Sequence, residues 1–142
     1  MAFTEYKYGV GLRNVGSYQI SGHPYVTGST LGTGQEKRVS FPYVTKEFTV
    51  INSGSTGTGP KLRVHFVSTG SDANVIPGHH YVTLENDDQS ITFNVKCKEI
   101  YITCTAGGTN DNGFEVVASL TNIMPNHMYP LTGSGITLDA VP

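Results

Sequence analysis

The chain has 142 residues, of which 37% are hydrophobic and 14% charged, and its formal net charge is −2. This length predicts one domain. The nine Lys and Arg residues are scattered, which argues against the clustered basic face of a nucleic-acid-binding protein, and no run of about 20 apolar residues is present to span a membrane.

Both fractions lie below the globular averages of about 45–50% apolar and about 25% charged residues. Glycine, with 17 copies, and many Ser, Thr and Asn residues make up the difference. This composition is typical of β-rich proteins with many turns, including fibre and capsid components. The first residues, Met-Ala-Phe-Thr-Glu, lack the basic and apolar regions of a signal peptide, and we expect the protein to remain or assemble in a cytoplasm.

Residues 1–39 are predicted to form an extended N-terminal arm, because Gly, Ser, Thr and Tyr dominate and apolar residues are sparse. Tyrosine offers rigid amphipathic contact area and is enriched at interfaces. The alternative is that these rings pack back on their own domain. The candidate interaction residues in or beside the arm are Tyr6, Tyr8, Arg13, Tyr18, Tyr25 and Tyr43.

Residues 40–142 are predicted to form a β-sandwich body with a short C-terminal tail. Alternating apolar residues indicate strands. On the segment from Lys61 to Ser68, for example, Leu62 and Val64 would face the core while Arg63 and His65 face the solvent. The predicted strands are Glu47–Ile51, Lys61–Ser68, Tyr81–Leu84, Ser90–Cys97, a segment carrying Ile100, Ile102 and Cys104, and Phe114–Leu120.

The connections are predicted from turn chemistry. The acidic run from Glu85 to Asp88 and the Gly- and Asn-rich run from Gly107 to Gly113 indicate hairpins. The apolar parity changes at Lys98-Glu99, which requires a bulge or a tight turn. A short turn is expected near Asn122 to His127, where Pro125 limits any helix.

Short antiparallel strands with such turns predict an all-β fold, an antiparallel β-sandwich of jelly-roll or immunoglobulin-like shape. The pattern does not separate a sandwich from a barrel. A body of this size buries a small core, typically supplying no more than about 3–5 kcal/mol. Oligomerisation or docking on a larger surface is therefore expected to contribute stability.

Possible metal ligands are better explained as turns. His79 and His80 are adjacent, so on a strand they would face opposite sides, and the carboxylates of Glu85, Asp87 and Asp88 suit a solvated turn. The run Asn110-Asp111-Asn112-Gly113 lacks the acidic spacing of a helix–loop–helix calcium site. Two cysteines, Cys97 and Cys104, are expected to be buried, unbridged thiols. No metal or cofactor is predicted.

Catalytic motifs are not apparent either. There is no Gly-x-Ser-x-Gly nucleophile turn, and no helix is predicted after Gly32-x-Gly34 or Gly57-x-Gly59 to make a phosphate site. We therefore expect a non-enzymatic protein.

Several phrases of the sequence resemble small virion structural proteins of marine tailed phages, especially cyanophages. In the arm these are the runs 11–22 (GLRNVGSYQISG) and 24–29 (PYVTGS). In the body they are 48–52 (FTVIN), 62–66 (LRVHF) and 93–101 (FNVKCKEIY). The resemblance covers most of the chain but carries no chemical signature, and it supplies no catalytic or metal-binding residue.

The resemblance implies a component of the virion, assembled in the host cytoplasm, with a capsid decoration or cement protein as the leading hypothesis. Its partners would be the major capsid protein or other virion proteins, in a homo-oligomer or symmetric assembly. A tail, neck or fibre accessory protein is the first alternative. A carbohydrate-binding β-sandwich for host attachment is another, with Tyr43, Tyr81 and Tyr101 as candidate stacking platforms.

Overall fold

The computed structural model describes residues 11–13, 23–32, 34–54, 61–69, 80–105 and 112–129. These residues are almost entirely β-structure, joined by turns, with one short 3₁₀ helix at Pro125–His127. The strands are β1 (His23–Leu31), β2 (Glu36–Ser40), β3 (Thr45–Asn52), β4 (Leu62–His65), β5 (Val82–Leu84), β6 (Ser90–Phe93), β7 (Glu99–Cys104) and β8 (Asn112–Leu120).

The strands form two antiparallel four-stranded sheets. Sheet I has the order β1-β8-β3-β6, and sheet II has the order β2-β7-β4-β5. Consecutive strands lie in different sheets at every connection except β4 to β5. The last strand returns to lie beside the first in sheet I, and β7 lies beside β2 in sheet II. This alternation is the topology of a jelly roll, so the all-β sandwich expected from the sequence is confirmed.

The core lies between the inner faces of the two sheets. Strand β8 shows the expected alternation, because every second residue is buried and faces sheet II. Strand β7 does the same from the opposite sheet. The largest buried side chains come from both faces: Leu31, Phe48, Val50 and Leu120 from sheet I, and Leu62, Val64, Leu84, Ile100 and Ile102 from sheet II.

A second, smaller cluster closes one end of the domain. Val44, Ile123 and Met128 are buried together, and Leu12 of the N-terminal segment packs against them. The 3₁₀ helix at Pro125–His127 lies in sequence between Ile123 and Met128 of this cluster. It matches the short turn expected near this proline.

The boundary of the predicted arm at residue 39 is wrong for its second half. Residues His23–Leu31 and Glu36–Ser40 are the edge strands of sheets I and II. They were missed because the inward positions of β1 carry Tyr25, Thr27 and Ser29 before Leu31, and β2 contributes one buried side chain, Val39. Such strands lack the apolar alternation on which the prediction relied.

The two predicted hairpins are also wrong in their connectivity. The run 85–88 joins β5 of sheet II to β6 of sheet I, and the run 107–113 falls between β7 of sheet II and β8 of sheet I. Residues 107–111 themselves lie outside the described residues. Turn residues reverse or redirect a chain, but they do not determine whether the next strand pairs with the previous one.

The change in apolar parity near Lys98-Glu99 also arises because the chain passes from one sheet to the other. Strand β6 ends at Phe93, and the chain crosses to sheet II before β7 begins at Glu99. The strand predicted to continue to Cys97 is therefore shorter. No bulge is needed, because the two apolar sets belong to different sheets.

His65 was expected to face solvent but is 1% exposed. Strand β4 ends there, three residues earlier than predicted, and residues 66–69 turn over the outer face of sheet II. The side chains of Ser68 and Thr69 reach Glu36 on β2. The segment therefore covers a face that the alternation alone assigned to solvent.

Candidate interaction surface

Strand β1 is the most accessible pairing edge among the described strands. It pairs with β8 over all nine residues, from His23↔Leu120 to Leu31↔Asn112, with no shift of register. Within the described ranges, no strand lies on its other side. The other edge strands, β2, β5 and β6, have five, three and four residues.

The sequence of β1 offers little protection against pairing. HPYVTGSTL contains no Asp, Glu, Lys or Arg, whereas proteins usually guard an edge with charges, bulges or very short strands. Pro24 guards only the beginning of the strand. From Tyr25 onward, β1 presents a straight, uncharged row of backbone donors and acceptors.

The outer face of sheet I continues from this edge and is weakly charged. Val26 is 71% exposed and lies directly opposite Val117, which is 43% exposed. The paired positions of the sheet place two charged side chains on this face, Glu47 and Glu115. The row that crosses the sheet at Val26 consists of Val26, Val117, Thr49 and Thr92.

The half of that row farther from β1, Thr49 and Thr92, is polar, and its two hydroxyls bond to each other. The hydroxyls of Thr49 and Thr92 are 2.8 Å apart and form one hydrogen bond across β3 and β6. The half nearer to the β1 edge, Val26 and Val117, is apolar and exposed. The two valines therefore form a small exposed apolar patch, adjacent to a strand edge that no described strand covers.

A groove of about 330 Å³ runs between the edges of the two sheets, along β1 and β2. Its lining includes Tyr25, Thr27 and Ser29 from β1. From β2, the ammonium group of Lys37 donates a 2.5 Å hydrogen bond to the Ser29 hydroxyl. The ring of Tyr25 packs edge-on against Phe41, with centroids 5.5 Å apart. The ammonium group of Lys37 therefore lies against the β1 edge, and Arg38 also lines the groove.

The outer face of sheet II has the opposite character, with polar groups paired to one another. Nδ1 of His65 donates to the Val67 carbonyl at 2.7 Å, because a carbonyl can only accept. Nε2 then accepts from the Thr103 hydroxyl at 2.5 Å. The Tyr101 ring stacks on the imidazole at 6.0 Å, and its hydroxyl donates to Glu99. These contacts hold a neutral histidine in place.

Burial and hydrogen bonding shift the pKa values of this cluster. Burial lowers the pKa of His65, against the opposing effects of the Val67 carbonyl and the Glu36 charge. Burial alone would raise the pKa of Glu36, but hydrogen bonds from Thr69 and Ser68 outweigh it and lower that pKa. Burial and the neighbouring Glu99 raise the pKa of Tyr101. The carboxylate and the neutral imidazole are thus the favoured forms.

The structure separates the predicted interaction residues. Tyr25 is half-buried on the inner side of β1, and Tyr43 lies in the β2–β3 connection with its ring 5.7 Å from His23. Arg13 is exposed in the described segment 11–13. Tyr6, Tyr8 and Tyr18 lie outside the described residues.

The three tyrosines considered for sugar stacking do not share one surface. Tyr101 is stacked on His65 on the outer face of sheet II, and Tyr81 lies under the Arg63 guanidinium, 4.4 Å from its ring centroid. Tyr43 lies in the β2–β3 connection, beside His23. The rings of Tyr81 and Tyr101 are thus already engaged within the protein.

The other predicted features can be placed where the structure describes them. Cys97 and Cys104 are buried and unbridged, as expected. Burial raises the pKa of the Cys97 thiol to about 11.

Among the described residues, no three His, Cys, Asp or Glu side chains are grouped for metal binding. No helix in the same part of the chain is long and apolar enough to cross a membrane. His79, Asn110 and Asp111 lie outside the described ranges.

Sequence reasoning missed Val26 and Val117 as candidate interaction residues. Val117 falls between the inward residues Val116 and Ala118, which marks it as an outward apolar residue on a strand. The sequence of β8 alone could therefore have identified Val117 as an outward-facing apolar residue. The pairing of Val117 with Val26 depends on the β1–β8 register, which joins the two ends of the domain and leaves no local trace.

Comparison with known proteins identifies no family. No protein-family model matches the chain, and no curated protein does. Among solved structures it is similar to a de novo designed double-stranded β-helix determined by solution NMR, with 17% identity and a TM-score of 0.40. That match covers 67% of this chain and 99% of the designed one.

Proposed function

We propose that this chain is a non-enzymatic structural protein that docks on a larger assembly through the outer face of sheet I. The observation that carries the proposal is the exposed Val26–Val117 pair, which lies on a weakly charged sheet face beside an unprotected strand edge. Burying such a patch gains about 25 cal/mol for each Å² of apolar surface removed from water.

The contrast with sheet II supports this choice of face. There Glu36, His65, Thr103, Tyr101 and Glu99 are hydrogen-bonded among themselves or to residues 67–69. Both ring nitrogens of His65 are engaged inside the protein, which suits a structural histidine better than a general base needing a free nitrogen. Among the described residues, the outer face of sheet I instead presents the exposed side chains of Val26 and Val117.

The resemblance of the sequence to virion structural proteins of marine tailed phages supports a phage particle as the assembly. The partner is then the major capsid protein or another virion protein, and the role is that of a capsid decoration or cement protein. Many identical docking sites on a symmetric shell would convert a modest single contact into high avidity.

The test is co-sedimentation of the purified protein with phage heads that lack it, followed by electron cryomicroscopy of the complex. Hundreds of copies over the head, with sheet I facing the shell, are expected. A few copies at the neck, tail or fibre would move the assignment to an accessory protein there. No association with any particle, together with binding on a glycan array, would favour the carbohydrate-binding alternative.

A matched pair of variants tests the face itself. Val117→Lys places a charge at the centre of the proposed contact and should weaken particle binding by about tenfold or more, since each 1.4 kcal/mol lost is tenfold. Ser40→Lys adds the same charge at an exposed position of β2, in the other sheet, and should bind like the unmodified protein. Equal loss in both variants, or in neither, would contradict docking through sheet I.

A further inference from the structure

We infer that β1 also pairs with β1 of a second copy, joining two four-stranded sheets into one eight-stranded sheet. This inference rests on the proposed function, in which copies lie side by side on one assembly. The site is the edge of β1 between Tyr25 and Ser29 that no described strand covers, and its occupant is the same segment running antiparallel.

The sequence of β1 suits pairing with itself. A two-fold axis brings the residues near the centre of one strand close to the same residues of the other, so a charge there would lie near its own sign. None of the nine residues of β1 is Asp, Glu, Lys or Arg. A strand that is uncharged throughout therefore avoids the repulsion that usually prevents self-pairing.

Side-chain parity limits the possible registers. Antiparallel pairing keeps outward residues opposite outward residues, so the axis must pass through a residue rather than between two. An axis at Thr27, the centre of the strand, sets Val26 opposite Gly28 of the second copy and Tyr25 opposite Ser29. Pro24 falls outside this five-residue pairing, so its missing N–H costs nothing there.

This register covers the exposed valine. Val26, at 71% exposure, would lie beside Gly28 of the second copy, which has no side chain of its own. The Cγ atom of Glu115 lies 3.5 Å from where a Cβ atom of Gly28 would be, so the stem of that side chain would border the valine. The two Val26 side chains become diagonal neighbours, about 7–8 Å apart between their backbones. The Val26–Val117 pairs of both copies then merge into one apolar stripe across the joined sheet.

The charges near the edge tolerate the pairing. Glu115 lies on β8, opposite Gly28 of β1, so three strand spacings, about 14 Å, separate the backbone of its strand from that of β8 in the second copy. That exceeds the screening length of about 8 Å in physiological salt. Lys37, hydrogen-bonded to Ser29, would approach the Tyr25 ring of the second copy, a contact attractive to a cation.

The first test is the mass in solution of the full chain, measured by light scattering and sedimentation equilibrium over a range of concentrations. The unmodified protein should approach twice its 15.3 kDa monomer mass. Val26→Lys should weaken the dimer by about tenfold or more, because symmetry introduces the charge twice. Ser90→Lys, an exposed position on the opposite edge strand β6, should leave the dimer unchanged.

A second measurement reports the register independently. Thr27→Cys places two thiols at the axis, with Cβ atoms about 4.5–5.5 Å apart. Mild oxidation should link this variant rapidly, whereas Ser90→Cys should link slowly. The native thiols Cys97 and Cys104 are buried and should not contribute.

A monomer at every concentration would overturn the inference, as would a dimer that persists in Val26→Lys with no preferential cross-linking at residue 27. A dimer disrupted by Ser90→Lys would place the interface on β6 and overturn it equally. Circular dichroism confirms that each variant keeps its β-structure. Because these measurements use the isolated protein, their failure is distinct from a failure to bind particles.

Discussion

At the scale of single residues, Thr45 connects the start of β3 to the segment that crosses between the sheets. Its buried hydroxyl donates to the Val95 carbonyl at 2.7 Å and accepts from the Cys97 amide at 3.1 Å. The register of β3 against β8 also shifts between Thr45 and Glu47. The hydroxyl therefore satisfies backbone groups of the crossing chain, whose Cys97 carbonyl also accepts from the Thr45 amide at 3.0 Å.

Replacing this hydroxyl should be costly. Thr45→Val keeps the shape but leaves a buried carbonyl and amide without their partner, which costs about 1–3 kcal/mol in the free energy of unfolding. Thr45→Ser keeps the hydroxyl and should retain most of the stability. Urea unfolding of both variants is the measurement. Equal destabilisation would mean that the methyl group, rather than the hydrogen bonds, carries the effect.

Gly54 is required where the end of β3 meets the beginning of β8. A Cβ atom there would lie 1.3 Å from Oδ1 of Asn112 and 2.6 Å from the amide nitrogen of Gly113. Asn112 is buried, so it cannot move aside freely. Gly54→Ala should therefore destabilise the fold by about 1–3 kcal/mol or more.

The control for this substitution is Gly11→Ala, since a Cβ atom at Gly11 meets nothing within 4 Å. Its free energy of unfolding should change by no more than about 0.5 kcal/mol. Thermal unfolding followed by circular dichroism compares the two variants. Similar melting temperatures would contradict the close contact at Gly54.

The buried His65 should make stability depend on pH. Its pKa is lowered by burial, so near pH 6 the unfolded chain binds more protons than the folded one. Stability therefore rises with pH in this range and is lost as pH falls below about 6.5. Glu36, whose pKa is also lowered, adds a further loss below about pH 4.5.

Melting temperatures measured between pH 7.5 and pH 5 test this dependence (the range brackets the unperturbed histidine pKa of about 6.5). His65→Gln removes the titrating group and should flatten the curve there, although its overall stability is expected to be lower. His127→Gln, at an exposed position, should keep the slope of the unmodified protein. An unchanged slope in His65→Gln would assign the dependence to another group.

At the scale of elements, β1 and β2 are integral to the domain rather than an appendage. Each is the edge of one sheet, and Phe41, just after β2, packs against Phe48 in the core with centroids 6.0 Å apart. A chain beginning at Ser40 would lose β1 and nearly all of β2. It would leave the hydrogen-bonding edges of β8 and β7 that pair with these strands without their partners.

We expect that truncated chain to lose cooperative unfolding altogether. A chain beginning at Gly11, which keeps Leu12 against Val44, Ile123 and Met128, should unfold cooperatively. Calorimetry of the two chains makes the comparison. A cooperative transition in the chain beginning at Ser40 would show that residues 40–142 fold alone, as the sequence first indicated.

Individual elements show what the sequence could and could not predict. Strands β3, β4, β7 and β8 were found because one face of each is apolar and the other polar, a local property. Strand β1 escaped because its inward residues are Tyr25, Thr27 and Ser29, which line a groove rather than the centre of the core. The covering of His65 also depends on a contact between β2 and residues 68–69, far apart in sequence.

The candidate surface was less predictable than the strands for the same reason. Val117 could be recognised as an outward valine from β8 alone, but the partner opposite it and the free edge beside it come from the opposite end of the domain. A tyrosine-rich segment drew the prediction toward Tyr25 and Tyr43. The structure uses both rings for packing, against Phe41 and His23.

At the scale of the whole molecule, most pairings join distant parts of the chain. Strand β1 pairs with β8, β2 with β7 and β3 with β6. Because the chain must close long loops before these contacts form, such folds are slow, on the order of milliseconds to seconds. Stopped-flow refolding should fall in this range. A relaxation in microseconds would contradict nested long-range pairing as the limiting step.

The pairing of the first strand with the last also sets an order of events during synthesis. On a ribosome, β1 emerges before the other described strands, while β8, the only described strand that hydrogen-bonds to it, emerges after all of them. Until β8 emerges, an uncharged nine-residue segment is therefore without that neighbour. On a polysome, nascent chains carry this segment close together, so the local concentration of newly made copies determines whether β1 finds its own β8 or another molecule.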